Sequence, residues 1–294
     1  MKIKKPMLNK INKDILKQVY LPRPSESHKY DFGLLLVVGG GDFYTGSPAL
    51  AAMAAFRAGV DMTHILAPKR AADIIAGFSP NLAAYPFKGK IFGNDDLPTL
   101  LAFTESAQSV SGEKTAVVLG GGMGRSSETK KAILAYLQQT KIKAVIDADG
   151  IHAVSENLDA IRGRNFIFTP HSYEFLTLTG RDIREAKLEE KIIVVQEEAK
   201  KFGGIIILKG ATDIISNGFE TVIDQGGSPF MTVGGTGDTL AGIAGSLLAQ
   251  GCDPFLAAQA ASFINGKAGE LAATKFGPAM LATDLIEEIA NVIK

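Results

Sequence analysis

The chain has 294 residues, 46% hydrophobic and 21% charged, which is enough to bury a large core and fits one big α/β domain better than two small ones. Its 31 Lys and Arg balance 31 Asp and Glu, so no net charge draws it to nucleic acid or to an anionic membrane. The single cysteine, Cys252, excludes an intramolecular disulfide and a cysteine zinc cage and reads as a small buried hydrophobe, while His28, His64, His152 and His171 are far apart and form no HExxH pair.

The opening MKIKKPMLNKINKD carries charges where a signal peptide needs its apolar stretch, and no later apolar run reaches membrane-span length. A soluble, cytoplasmic protein is expected. Leu8 to Val19 reads as a short amphipathic segment stopped by Pro22 and Pro24, so residues 1–30 form an N-terminal arm that packs on the domain or on a neighbouring subunit of a homo-oligomer. Gly33 to Gly39 is a buried strand, followed by the loop GGDFYTGS and an alanine-rich helix from Pro48 to Ala58. Asp61 to Ala67, Thr115 to Leu119, Ala144 to Ala148 and Phe166 to Thr169 are further strands, each bounded by Gly, Asp or Pro where ligands collect in open α/β sheets. Ile205 to Leu208, Asp213 to Ser216 and Thr221 to Ile223 leave no room for helices between them and read as an antiparallel finish. Beyond Asp238 the pattern is helical to the end, broken at Gly251 and Pro254. Alternating strands and helices without a linker predict a mostly parallel sheet covered on both faces, in a single domain over 1–294.

Gly234-Gly235-Thr236-Gly237-Asp238-Thr239-Leu240-Ala241-Gly242 combines bare backbone, a carboxylate and a helix start. Glycines there expose N–H groups to an anion at the positive end of a helix dipole. A carboxylate beside bound phosphate is suited to taking a proton from a substrate hydroxyl; the plainer alternative makes Asp238 a helix N-cap. There is no GxxxxGK[ST] and no GxGxxG, so neither a P-loop nor a dinucleotide-binding turn is supported. Gly39-Gly40-Gly41, Gly120-Gly121-Gly122-Met123-Gly124 and Lys209-Gly210-Ala211 are further glycine loops at strand ends. They suit either an extended phosphate-bearing ligand or close backbone packing.

GGTGDTLAG resembles the anion-hole and catalytic-Asp motif of the ribokinase-like superfamily, and Thr169-Pro170-His171-Ser172-Tyr173-Glu174 resembles its metal-linked TPNxxE motif with His for Asn. That exchange makes the chain similar to the stand-alone NAD(P)H-hydrate dehydratase family. The family's HKxDFG, GGxxxxxGA, GPGLG, DADAL, TPHPGE, LKGA and MATGGTGDxLAG stand here as HKYDFG (28–33), GGGDFYTGS (39–47), GGGMG (120–124), DADGI (147–151), TPHSYE (169–174), LKGA (208–211) and MTVGGTGDTLAG (231–242). Order and spacing agree from about Ile15 to Ile289.

The resemblance implies a ribokinase-like fold and a hydro-lyase that restores hydrated NADH or NADPH, with ADP or ATP as co-substrate. Asp238 would deprotonate the C6 hydroxyl of the hydrated ring, and the backbone of Gly235, Thr236 and Gly237 would hold the transferring phosphoryl group. Ser47, Gly122 and His171 would contact the hydrated dinucleotide. Lys209, Gly210, Ala211, Thr212 and Asp213 would border the adenine nucleotide. Glu174 would act through water on Mg2+ at the nucleotide phosphates; its alternative is a helix N-terminal carboxylate. Asp147 and Asp149 match DADA without an assigned role, Asp149 reading as structural. Ser47 replaces the family's Ala, Gly121 its Pro, Ser172-Tyr173 its Pro-Gly, Val233 a Thr, and Ser228 and Phe230 an Asn and a Gly. A separate epimerase is the implied functional partner. Two other readings compete: a kinase of the same fold acting on hydroxyethylthiazole or a pyridoxal-like alcohol, which should carry Asn at position 171, and a non-catalytic nucleotide-binding protein.

Overall fold

The computed structural model describes residues 9–294, so the first eight residues of the expected arm lie outside it. Ten strands form one sheet: β1 (Asn9–Lys10), β2 (Leu34–Val38), β3 (Met62–Pro68), β4 (Ala83–Phe87), β5 (Thr115–Leu119), β6 (Lys143–Ile146), β7 (Ile167–Phe168), β8 (Ile205–Leu208), β9 (Asp213–Ser216) and β10 (Thr221–Asp224). Their order is β1-β10-β9-β8-β7-β6-β5-β2-β3-β4. All pairings are parallel except β8 with β9 and β9 with β10, the antiparallel finish expected from the short spacing.

Alternation along each strand divides the core between the two faces. Leu35, Val37, Ala116 and Val118 face one side, where the helices Ser47–Arg57, Lys69–Phe78, Thr236–Ala249, Pro254–Phe276 and Ala282–Ile293 contribute buried residues. Leu34, Leu36, Val38, Val117 and Leu119 face the other, with the helices Leu97–Ser111, Ser127–Gln139, Ser172–Thr179 and Leu188–Phe202. Strands buried on both faces must be apolar throughout, which is why these segments read as unbroken hydrophobic runs.

Two strands depart from the sequence expectation. β4 is an edge strand, exposed over most of its length and carrying Pro86, so neither an apolar run nor regular alternation marks it. In the arm, the expected amphipathic segment is helical over Ile15–Val19. Residues 9–10 instead add β1 to the edge of β10, and Ile11 N–H extends the pairing to the Ile223 carbonyl at 3.0 Å.

HKYDFG lies at the start of β2, away from the end where ligands collect. Phe32 N–H donates to Asp61 Oδ2 at 2.9 Å, and Arg23 sits 3.7 Å above the Phe32 ring. Gly33, at φ +93°, leaves no space for a side chain, since a Cβ would stand 2.3 Å from the carbonyl oxygen of Ala249. The motif therefore fixes the strand against the last residue of the helix Thr236–Ala249, whose first turn begins at the opposite end of the sheet.

Candidate active site

Parallel pairing sends the C-terminal ends of β2, β5, β6, β7 and β8 to one edge of the sheet. The loops there are packed backbone against backbone. Gly40 N–H donates to the Gly121 carbonyl at 2.7 Å, and a Cβ on Gly39 would stand 2.5 Å from that same oxygen. Gly122, at φ +70°, lies under Tyr44, whose carbonyl oxygen would be 2.8 Å from an added Cβ. Close packing thus accounts for these glycines without a ligand.

The helix Thr236–Ala249 begins at Gly235, whose φ of +102° and crowding by Leu50 and Ala282 both require glycine. Thr236 donates its hydroxyl to the Met231 carbonyl at 2.8 Å, and Asn265 bridges Thr236 O and the Thr239 hydroxyl. The turn is held on several sides before any ligand arrives. Gly237 follows in the first helical turn without a left-handed conformation.

Asp238 Oδ1 accepts a hydrogen bond from Ser47 Oγ. Burial pushes the Asp238 carboxyl up to about 7; the Ser47 hydrogen bond opposes this, the negative charge of Asp147 adds to it, and Lys209 pulls it down. A carboxyl poised there can take up a proton near neutral pH and release it again. A cavity of about 10 Å³, lined by Gly39, Ser47, Gly121, Asp147 and Asp238 among others, lies where these elements meet.

Lys209 Nζ lies 3.0 Å from Asp147 Oδ1 and 3.6 Å from Glu174 Oε2. Burial alone would lower its pKa, but the carboxylates of Asp147 and Glu174, with Asp238 beyond them, outweigh burial and raise it. The ammonium is therefore charged beside the glycine turn: a Cβ on Gly237 would stand 3.4 Å from Nζ. Asp147 is itself buried and also accepts from the Thr169 hydroxyl at 2.7 Å. Asp149 holds the neighbouring loop, accepting from Gly124 N–H and Arg125 Nε, each at 2.8 Å.

His171 and Glu174 form a reciprocal cap on the helix Ser172–Thr179. His171 Nδ1 accepts from the backbone of Tyr173 and Glu174 at 3.1 and 3.2 Å, and Glu174 Oε2 accepts from His171 N–H at 2.9 Å. An accepting Nδ1 places the ring proton on Nε2, which lies 3.5 Å from Glu174 Oε1 on a half-exposed side chain. Of the remaining sequence candidates, Gly210 N–H donates to Asp213 Oδ1 at 2.9 Å, and Asp213 Oδ2 accepts from Ser262 at 2.8 Å. The Asp213 side chain is thus turned inward to brace its loop, its carboxyl pushed up to about 6 by burial, while Gly210 and Ala211 are exposed and Thr212 half-buried.

The structure brings together Ser47, Gly237, Asp238, Lys209, Glu174 and His171, with Gly122 one residue beyond the Gly121 that touches Ser47. Sequence reasoning left Asp147 without a role and did not single out Asn265. The first meets Lys209 only through folding, from 62 residues away, and the second lies in a helix that has no local motif.

An open, mostly parallel sheet that carries an antiparallel hairpin, with a glycine-turn helix N-terminus and an adjacent Asp, is a ribokinase-like fold. A ribokinase-like superfamily protein of Enterococcus faecalis V583 superposes with a TM-score of 0.84 at 24% identity, covering 100% of this chain and 98% of that one. The chain belongs to the NAD(P)H-hydrate dehydratase family, whose profile matches residues 35–291. The chain is 36% identical over 282 residues to the ADP-dependent (S)-NAD(P)H-hydrate dehydratase of Nitrosopumilus maritimus, covering 95% of each. It is 38% identical over 275 residues to the bifunctional NAD(P)H-hydrate repair enzyme Nnr of Pyrobaculum aerophilum, covering 92% of this chain but 52% of that one. The chain therefore spans about half the length of that bifunctional relative.

Proposed function

We propose that the chain acts as one catalytic unit that dehydrates hydrated NADH or NADPH at the expense of ADP or ATP. The observation that carries the chemistry is the facing of Asp238, in the first turn of a helix begun by Gly235, with Lys209 beside Gly237. Asp238 takes the proton of the C6 hydroxyl as its oxygen attacks the terminal phosphorus. The bond from that phosphorus to the bridging oxygen of ADP or ATP breaks, leaving AMP or ADP. Gly235 to Gly237 N–H groups and the Lys209 ammonium hold the transferring group, whose charge they meet without reorganising. The ring nitrogen lone pair then expels phosphate from C6, the resulting iminium gives up a C5 proton to the departing phosphate to form the C5–C6 double bond, and the products are NAD(P)H, inorganic phosphate and the shortened nucleotide.

His171 presents its Nε2–H toward the hydrated dinucleotide, with Ser47 and Gly122 as further contacts, and the Gly210 to Asp213 turn borders the adenine nucleotide. Among the described residues no three His, Cys, Asp or Glu side chains gather into a metal cage. This suits Mg2+, which is held by one or two carboxylates, water and substrate phosphates; Glu174 would hold it through water, and when bound it would neutralise phosphate charge. A homo-oligomer and a separately supplied epimerase belong to the same proposal.

Incubation of the protein with hydrated NADH and either ADP or ATP should restore the reduced-nicotinamide absorbance with release of phosphate. Nucleotide consumption without that absorbance would indicate a kinase acting on another alcohol. Binding without either change would indicate a non-catalytic nucleotide-binding protein.

A further inference from the structure

Ser47 and Gly121 share one volume beside Asp238. A Cβ built on Gly121 would stand 2.1 Å from Ser47 Oγ and 2.9 Å from Asp238 Oδ1, both closer than atoms can approach without something moving. Gly121 has no positive φ, so its backbone would accept a side chain and only the crowding requires glycine. The hydroxyl that occupies this space donates to the Asp238 carboxylate, from a residue 191 positions away. Both positions depart from the pattern the rest of the chain resembles, and they depart at one point in space.

We propose that Ser47 is a positioning residue for Asp238 and that Gly121 is its steric complement, the absent side chain providing the space in which the hydroxyl holds the carboxylate. This rests on Asp238 being the base. A serine hydroxyl donating to Oδ1 fixes the carboxylate rotamer and leaves the other oxygen to receive the substrate proton. It also favours the ionised form, the form that can act as a base. Facing Asp238 are Ser47 from the helix Ser47–Arg57, Asp147 from the end of β6 and Lys209 from the end of β8, with Glu174 behind Lys209 from the helix after β7. Asp147 and Lys209 are paired at 3.0 Å and oppose each other's effect on Asp238, so Ser47 is the neutral donor whose removal is not offset.

Two readouts on the full chain test this. In ligand-free protein carrying 13C at the aspartate carboxyls, the Asp238 resonance is the one lost in Asp238→Asn. Ser47→Ala should move its midpoint to higher pH by about one unit, and kcat/KM for dehydration should fall about tenfold at about pH 6 and converge toward the parent at about pH 9. Gly121→Ala should displace the hydroxyl and move both readouts the same way, and combining it with Ser47→Ala should move them by less than the sum of the two single effects. Circular dichroism checks that each variant is folded. An Asp238 midpoint unmoved by Ser47→Ala, or additive effects of the two substitutions, would overturn the coupling. A moved midpoint with an unmoved rate profile would overturn the base assignment beneath it.

Discussion

Gly242 and Ala51 meet so closely that a Cβ on Gly242 would stand 2.1 Å from the Ala51 carbonyl oxygen. Each lies one helical turn beyond a site residue, Gly242 after Asp238 and Ala51 after Ser47, on the same face of its helix. The crossing of these two helices therefore brings Ser47 to Asp238. Gly242→Ala should force the helices apart, destabilise the fold by about 1–3 kcal/mol and lengthen the Ser47 to Asp238 contact. Gly77→Ala, in a helix where an added Cβ meets nothing within 4 Å, should instead be neutral or stabilising by up to about 1 kcal/mol. Urea denaturation of the two variants tests the contrast; equal effects would mean that the crossing tolerates a methyl group.

Asp238→Asn should lower turnover by about 10² to 10⁴ while leaving nucleotide affinity nearly intact, because the amide keeps the shape but cannot accept the hydroxyl proton. Near-normal turnover in steady-state assays would remove the base assignment.

The same carboxyl has a consequence for stability. Folding raises the Asp238 pKa from 3.8 to about 7, chiefly by burial, so the folded chain binds more protons than the unfolded chain between those values. Stability contributed by this site is therefore present at low pH and lost as pH rises through that window. Asp213, pushed up by burial to about 6, acts in the same direction. Asp238→Asn should be relatively more stable than the parent at about pH 8 than at about pH 4, by roughly 1–3 kcal/mol after allowance for solvent screening. Thermal melts at both pH values measure the difference, and a pH-independent difference would count against a buried ionised carboxylate.

Much of this was legible in the sequence for a local reason. β2 and β5 are five-residue apolar runs buried on both faces, and the glycine turn and its Asp lie within nine consecutive residues, so neither depends on distant contacts to be seen. The pairings that complete the site were not legible. Lys209 to Asp147 joins two strand ends that the order β8-β7-β6 brings near each other, and Ser47 to Asp238 joins the first turns of two helices that meet only through their crossing. The glycines of 39–41 and 120–122 were ambiguous in sequence because loop packing and phosphate binding both need bare backbone. Their close contacts in the fold are with each other, with Tyr44, Pro48 and Ala71, with Asp147 and Gly150, and with Ser47 and Asp238.

His171 has two separable properties, a capping Nδ1 and an Nε2–H on a half-exposed side chain. His171→Ala removes both and should cost about 0.5–2 kcal/mol of stability from the lost cap in addition to substrate affinity. His171→Asn keeps a side chain that caps helices well, so it should retain stability yet still bind hydrated dinucleotide more weakly, with adenine nucleotide binding little changed. Melting temperature and titration of both ligands into both variants separate these effects. Equal loss of the two affinities in the folded Asn variant would leave His171 a structural residue only.

Gly237 is the position where nucleotide binding and catalysis should fail together. Its backbone is not left-handed, unlike that of Gly235, so strain is not the reason a side chain would be harmful there. The reason is space: a Cβ already reaches within 3.4 Å of Lys209 Nζ, and the two methyl groups of Val would extend from it into the gap between the helix N-terminus and the ammonium, where a phosphate must enter. Gly237→Val should therefore weaken ADP and ATP binding and turnover in parallel, whereas Asp238→Asn spares the affinity. Calorimetric titration of ADP and ATP into both variants, with circular dichroism to confirm folding, makes the comparison. A folded Gly237→Val protein that binds nucleotide like the parent would place the phosphates elsewhere, and the pairing of Lys209 with this turn would then lose its role in holding them.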